Sequence, residues 1–159
     1  MEKKILQSEI AFCQLDELDS VDSNLVKKAI AATANSYAPY STFHVGAALR
    51  LANGVEIIGA NQENAAFPVT ICAERSAIFN AQANYPDQPV THLAIAARSE
   101  KGLVEDPISP CGMCRQAILE IEHRYKHPIR ILLYGTKGVY ILKSIRDILP
   151  LSFTEDDMK

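Results

Sequence analysis

No stretch of this chain is apolar for long enough to cross a bilayer or to form the centre of a secretory leader. Its first 20 residues carry charges at Glu2, Lys3, Lys4, Glu9, Asp16, Glu17 and Asp19, so a cytoplasmic protein without membrane attachment is the expectation. Clustered basic residues are missing too. The 16 Lys and Arg are dispersed among 19 Asp and Glu, for a net charge of −3. A nucleic-acid binder concentrates its cations on one face, so a small or neutral partner is expected. Internal repeats and low-complexity segments are also absent. With 159 residues, 48% of them apolar and 22% charged, the chain has the make-up of one globular unit around a single core.

What remains is a regular alternation of helix and strand signals. From Asp22 to Asn35, Leu25, Val26, Ala29, Ile30 and Ala34 recur at helical spacing, with Asp22 or Ser23 as the expected N-cap. Pro39 in "YAPYS" ends that pattern. Residues 43–51 and 55–60 read as antiparallel strands joined at "ANG". A helix is expected from Cys72 to about Ala83, and a central strand at 92–97. A third helix is expected from Pro110 to Tyr125, capped by Ser109. Strands at 129–135 and 139–142 turn at "TKG", and a short helix follows near 144–148. This order predicts an α/β fold of three layers, α-β-α, around a mixed central sheet.

Only four cysteines occur: Cys13, Cys72, Cys111 and Cys114. Cys13 stands alone and reads as a small apolar residue. Cys111 and Cys114 are three apart, so both thiols lie on one face of a first helical turn. Unpaired N–H groups at a helix start favour thiolate, and two thiolates held there are half of a zinc site. Cys72 opens another helix and can supply a third. Three protein ligands leave a fourth corner of the tetrahedron for water, the pattern of catalytic zinc. Glu74, two residues after Cys72, is then the base that accepts the water's proton. Three thiolates on one dication leave a net −1. A guanidinium from Arg75 donating to the sulfurs would withdraw some of that charge and preserve the water's acidity. Two other readings stand beside this one. "CGMC" could be a redox dithiol, and a histidine (His44, His92, His123 or His127) could complete a structural zinc site.

Together the motifs resemble a known family. Cys72-Ala73-Glu74 followed by Pro110-Cys111-Gly112-Met113-Cys114 matches the pattern of zinc nucleobase deaminases. The wider segments "YAPYSTFHVGAAL", "NQENAAFP", "CAERSAI", "SPCGMCRQ" and "ILPLSF" are similar, in order, to the small homotetrameric cytidine deaminases. The resemblance runs from about Val21 to Phe153. It implies a single deaminase domain over 21–159, preceded by an extension, 1–20, of unassigned role.

The resemblance further implies Zn2+ on Cys72, Cys111 and Cys114. A metal-activated water would attack C4 of cytidine or 2′-deoxycytidine, giving uridine or 2′-deoxyuridine and ammonia for pyrimidine salvage, with Glu74 moving the protons. Asn61 and Glu63 would bind the ribose 3′-hydroxyl, Phe43 would contact the pyrimidine, and Ala73 would offer backbone groups to the base. Phe153 would reach a neighbouring subunit's site in a homotetramer with shared active sites. On their own, Asn61 and Glu63 would read as a polar turn, and Phe43 and Phe153 as core. The sequence departs from the family at His44, where Pro is usual, and at Phe67, where Tyr is usual, and its segment from Ala83 to Pro110 is longer. These departures leave the preferred nucleoside open. The alternative on the same frame is an aminohydrolase of another aminopyrimidine nucleoside, such as blasticidin S.

Overall fold

A computed structural model describes residues 1–159. Along the chain come β1 (Ile10–Cys13), α1 (Ser20–Ala32), β2 (His44–Leu51) and β3 (Glu56–Ala60). Then follow α2 (Ala73–Asn84), β4 (Val90–Ser99), β5 (Gly102–Leu103), α3 (Gly112–Tyr125), β6 (Arg130–Gly135) and β7 (Gly138–Leu142). No helix is long and apolar enough to cross a membrane.

The strands form one sheet in the order β1-β7-β6-β4-β2-β3, with β5 pairing only with the end of β4. β4 and β6 run parallel and their neighbours antiparallel, so the sheet is mixed as expected. Side chains alternate between its faces with the period of two that a pleated strand imposes. Ala47, Leu49, Leu93, Ile95, Ile131 and Leu133 face α2 and α3, in a core completed by Ile78, Ile118 and Leu119. Ala48, Ala94, Ala96, Leu132 and Val139 face α1 and meet Leu25, Val26 and Ala29. The result is the α-β-α layering.

Two glycines set how closely the helices lie. A Cβ at Gly46 would stand 2.1 Å from the Ala29 carbonyl oxygen of α1. A Cβ at Gly59 would stand 2.4 Å from the Ala73 carbonyl and 2.5 Å from the Ala77 nitrogen, both in the first turns of α2. Backbone cannot yield at those distances, so glycine at 59 is what lets α2 settle its N-terminus on the sheet.

The expected boundaries need three corrections. Asp19 caps α1, accepting from the Asp22 amide at 2.9 Å; neither Asp22 nor Ser23 does. Asp22 is buried instead and takes Nε of Arg130 at 2.7 Å, a partner 108 residues away. α1 ends at Ala32, and only a 3-10 turn, Thr33–Asn35, continues it. α3 starts at Gly112 with Cys111 as its N-cap, so Pro110 lies before the helix, and Ser109 accepts from Arg115 rather than capping. The first 20 residues contribute β1, which pairs with β7 from Ile10↔Leu142 to Cys13↔Val139 and adds an edge to the sheet.

Candidate active site

α2 and α3 both begin at one end of the sheet, and each begins with a cysteine. Cys72 and Cys111 are N-caps with extended backbone (φ −73° and ψ 155°; φ −65° and ψ 165°), and neither side chain caps an amide. A thiol is a poor acceptor for backbone N–H, so both sulfurs stay free to point away from their helix. They meet 3.8 Å apart. Cys114, buried on the first turn of α3, completes a group whose sulfurs all lie within 4.8 Å of one another. A tetrahedron with metal–sulfur bonds of about 2.3 Å separates its sulfurs by about 3.8 Å. The three cysteines therefore fit a zinc ion with one corner free. None of the four histidines joins them, which removes the ligand that a closed structural site would need.

The electrostatics agree with a cation at this point. Cys72 is pushed down to about 5, first by the hydrogen bond from Cys114 and then by Arg75 and Cys111. Cys114 is driven strongly upward by the same bond, by burial, and by the negative charges of Glu74 and Cys72. A redox pair would use Cys111 and Cys114 alone, whereas the depressed thiol is Cys72, from the other helix.

Arg75 extends Nη2 to the Cys72 sulfur at 3.9 Å, within the reach of a sulfur-accepted hydrogen bond. Glu74 is 4% exposed. Burial pushes its carboxyl above the usual carboxylate range, and the neighbouring Cys72 charge adds to that shift. A spacing of two residues puts Cys72 and Glu74 on the same side of the site because Cys72 lies outside the helix proper.

A cavity of about 310 Å³ opens over this group. Phe43, Asn61, Glu63, Ala73 and Glu74 all line it, together with Cys72 and Cys111. Asn61 is largely engaged within the chain: Oδ1 accepts from the Val45 amide at 2.8 Å and Nδ2 donates to the Phe43 carbonyl at 2.9 Å. Glu63 accepts from the Tyr40 amide at 2.8 Å, from the Ser41 amide at 3.3 Å and from the Ser41 hydroxyl. Those donors hold its carboxyl below the usual range, the Ser41 hydroxyl contributing most. Both residues thus also hold the 40–45 loop that presents Phe43.

Phe153 is not in this cavity. It is 59% exposed, and its carbonyl accepts from Gln116 Nε2 at 3.0 Å. His44 also lies outside the lining; its Nδ1 pairs with Ser36 Oγ at 3.1 Å. Phe67 is 70% exposed and packs edge-on against Tyr40. Ser41, Thr70 and Ile108 line the cavity although no sequence signal points to them, and Ser109, expected only as a helix cap, lines it too. Ser41 stands in "YAPYS", whose one local signal is the helix break at Pro39, and no local pattern marks Thr70 or Ile108.

Comparison with known proteins places this arrangement. Residues 19–126 match the family model described as the cytidine and deoxycytidylate deaminase zinc-binding region. A cytidine deaminase of Halalkalibacterium halodurans is 37% identical over 134 residues, 84% of this chain and 95% of that protein. A cytidine deaminase of Mycobacterium tuberculosis is 34% identical, over 89% of this chain and 96% of that one. Among solved structures, the cytidine deaminase of Burkholderia pseudomallei superposes with a TM-score of 0.70 at 36% identity, covering 82% of this chain and 97% of its own. The match spans the three sulfurs, Glu74 and the strands between them: this chain belongs to the cytidine and deoxycytidylate deaminase family.

Proposed function

We propose that this protein hydrolyses the exocyclic amine of cytidine and 2′-deoxycytidine, consuming one water and releasing uridine or 2′-deoxyuridine with one ammonia. The observation that carries this reading is the coincidence, at one cavity, of three sulfurs at tetrahedral spacing with a buried carboxylate beside them. Zinc held by Cys72, Cys111 and Cys114 supplies the Lewis acidity that makes a water nucleophilic near neutral pH.

Each residue then has a task that its place supports. Glu74 accepts the water's proton, delivers it to N3 of the pyrimidine and afterwards protonates the leaving amine. Its raised affinity for a proton, caused by burial, suits a group that must hold one between two transfers. Ala73 is the first residue of α2, so its amide has no partner within the helix and is free for the base. Phe43 offers a ring to the pyrimidine face. Asn61 keeps one amide hydrogen and Glu63 keeps acceptor capacity for a ribose hydroxyl. Arg75 draws charge from the Cys72 sulfur and so offsets the excess of three thiolates.

We assign residues 21–159 to one deaminase domain, with 1–20 as an appended segment, in a cytoplasmic protein of pyrimidine salvage. Large apolar side chains stand uncovered on the segments flanking the zinc ligands: Phe67, Val69, Met113, Leu151 and Phe153. They support a homotetramer in which Phe153 completes a neighbour's cavity. Light scattering on the purified protein measures that assembly. The reaction itself is tested by following ultraviolet absorbance with cytidine, 2′-deoxycytidine, cytosine and 5-substituted analogues. Conversion of the two nucleosides is the expected result, and turnover of another aminopyrimidine with neither nucleoside consumed would replace the assignment.

A further inference from the structure

At the end of the sheet away from the cysteines, where β2 finishes and β4 and β6 begin, lies a second concavity of about 430 Å³. Arg50, His92, His127, Arg130 and Lys143 line it, and no carboxylate does. In a chain with more acidic than basic residues, this cavity is lined by basic side chains without an acidic one.

The acids that hold this group in place lie behind the cavity wall. Asp22, 1% exposed, takes Nε of Arg130 at 2.7 Å. Glu56 takes Nη1 of Arg50 at 2.9 Å. Each carboxylate takes one donor of a guanidinium and tethers it, while Nη1 and Nη2 of Arg130 and Nη2 of Arg50 have no hydrogen-bond partner in the chain. A guanidinium held from one side offers its remaining donors as a rigid fork, the geometry suited to phosphate oxygens. Lys143 meets Glu9 at 3.0 Å, but both side chains are about three-quarters exposed, so this pair is weak and easily exchanged. Across His127 and Pro128 the basic surface continues to Lys126 and Arg146. The one acid on that continuation, Glu122, is buried and already accepts from the Ile129 and Ile145 amides and the Ser144 hydroxyl.

The geometry points to a second binding site at this end of the sheet, taking a phosphate group, either as the free ion or as the head of a small phosphate ester. A phosphate dianion presents several acceptor oxygens in different directions, which suits donors that line one cavity from different segments: Arg50, His92 and Arg130 on β2, β4 and β6, and His127 and Lys143 on the connections beside them.

Calorimetric titration of the zinc-loaded protein at constant ionic strength tests this, with inorganic phosphate in one arm, ribose 5-phosphate in a second and chloride as control. Saturable binding of one phosphate group per chain is expected, with no heat from chloride. Tighter binding of the ester assigns the site to phosphate monoesters; equal or weaker binding of the ester assigns it to the free ion. The double variant Arg50→Gln, Lys143→Gln should weaken binding at least ten-fold and leave cytidine turnover unchanged. Glu56 retains Lys28 in that variant, so its charge is not stranded. His127→Asn, which breaks no hydrogen bond of its side chain, should weaken binding as well. Absence of saturable binding, equal affinity in wild type and the double variant, or displacement of phosphate by cytidine would each overturn the proposal.

Discussion

The starts of α2 and α3 use the same local grammar to different ends. Each has a cysteine at the N-cap with an uncapped extended backbone, and each has an arginine three or four residues on. Two residues past the cap, however, α2 carries Glu74 at 4% exposure and α3 carries Met113 at 63%. Gly59 lets α2 press its first turn onto the sheet, so whatever side chain stands at 74 becomes part of the cavity floor. The arginines diverge in the same way. Arg75 reaches the Cys72 sulfur. Arg115 turns from the metal site, donating to the Pro110 carbonyl at 2.9 Å, the Ile148 carbonyl at 2.7 Å and Ser109 Oγ at 2.9 Å. Both helix starts contribute sulfur to the metal-fitting group, but only that of α2 adds a buried carboxyl, whereas that of α3 anchors the C-terminal segment through Arg115. What separates them is the residue two places past the cap and the depth to which it is buried, since the cap cysteine and its backbone are shared.

The most drastic way to sharpen that contrast is to remove both sulfurs of α3. Cys111→Ala with Cys114→Ala should abolish zinc binding and turnover together, whereas Met113→Ala, at the position equivalent to Glu74, should keep the metal. Metal analysis beside a cytidine assay reads both, and full zinc occupancy in the double variant would end the comparison.

The two arginines separate next. Arg75→Gln should retain one zinc per chain and slow turnover by roughly 10–100-fold, the usual effect of losing a partner of a metal ligand. Arg115→Gln should act on stability instead, costing about 1–3 kcal/mol because two carbonyls and a hydroxyl lose their donor. Equal turnover losses in the two variants would mean that the helix starts are not specialised.

The smallest effect concerns the acid-side behaviour of Glu74. Burial raises its folded-state pKa, so the folded protein binds this proton more tightly than the unfolded chain does. Stability associated with the group is therefore complete below its unfolded value and is lost as pH rises through the folded one. Glu74→Gln should raise the melting temperature slightly at pH 8, with the gain shrinking as pH falls toward the ordinary carboxylate range. A gain that grows on acidification would contradict the burial argument.

Much of the site is legible in the sequence because its reactive atoms are local. Cys72-Ala73-Glu74 and Cys111-Gly112-Met113-Cys114 each lie within one turn, and a helix start has few ways to arrange them. What could not be read there depends on distant partners. Asp22 has the composition of a cap but is claimed by Arg130 from another strand, and Ser109 is claimed by Arg115 in the same manner. β1 is four residues in a charged segment, with only half-exposed apolar side chains; it becomes a strand because β7 offers an edge. Ser41 enters the site because Glu63, 22 residues later, folds back onto it. Family likeness rather than local pattern points to Phe43, Asn61 and Glu63, and their meeting at one cavity follows from the pairing of β2 with β3.

The central claim is that three sulfurs hold one catalytic zinc beside a carboxylate that moves protons without binding the metal. Zinc content and cytidine turnover measured on wild type and Glu74→Gln test it together. The account predicts one zinc per chain in both proteins, with turnover falling by about 10²–10⁴-fold in the variant. Loss of zinc in Glu74→Gln, or turnover preserved in it, would contradict the account.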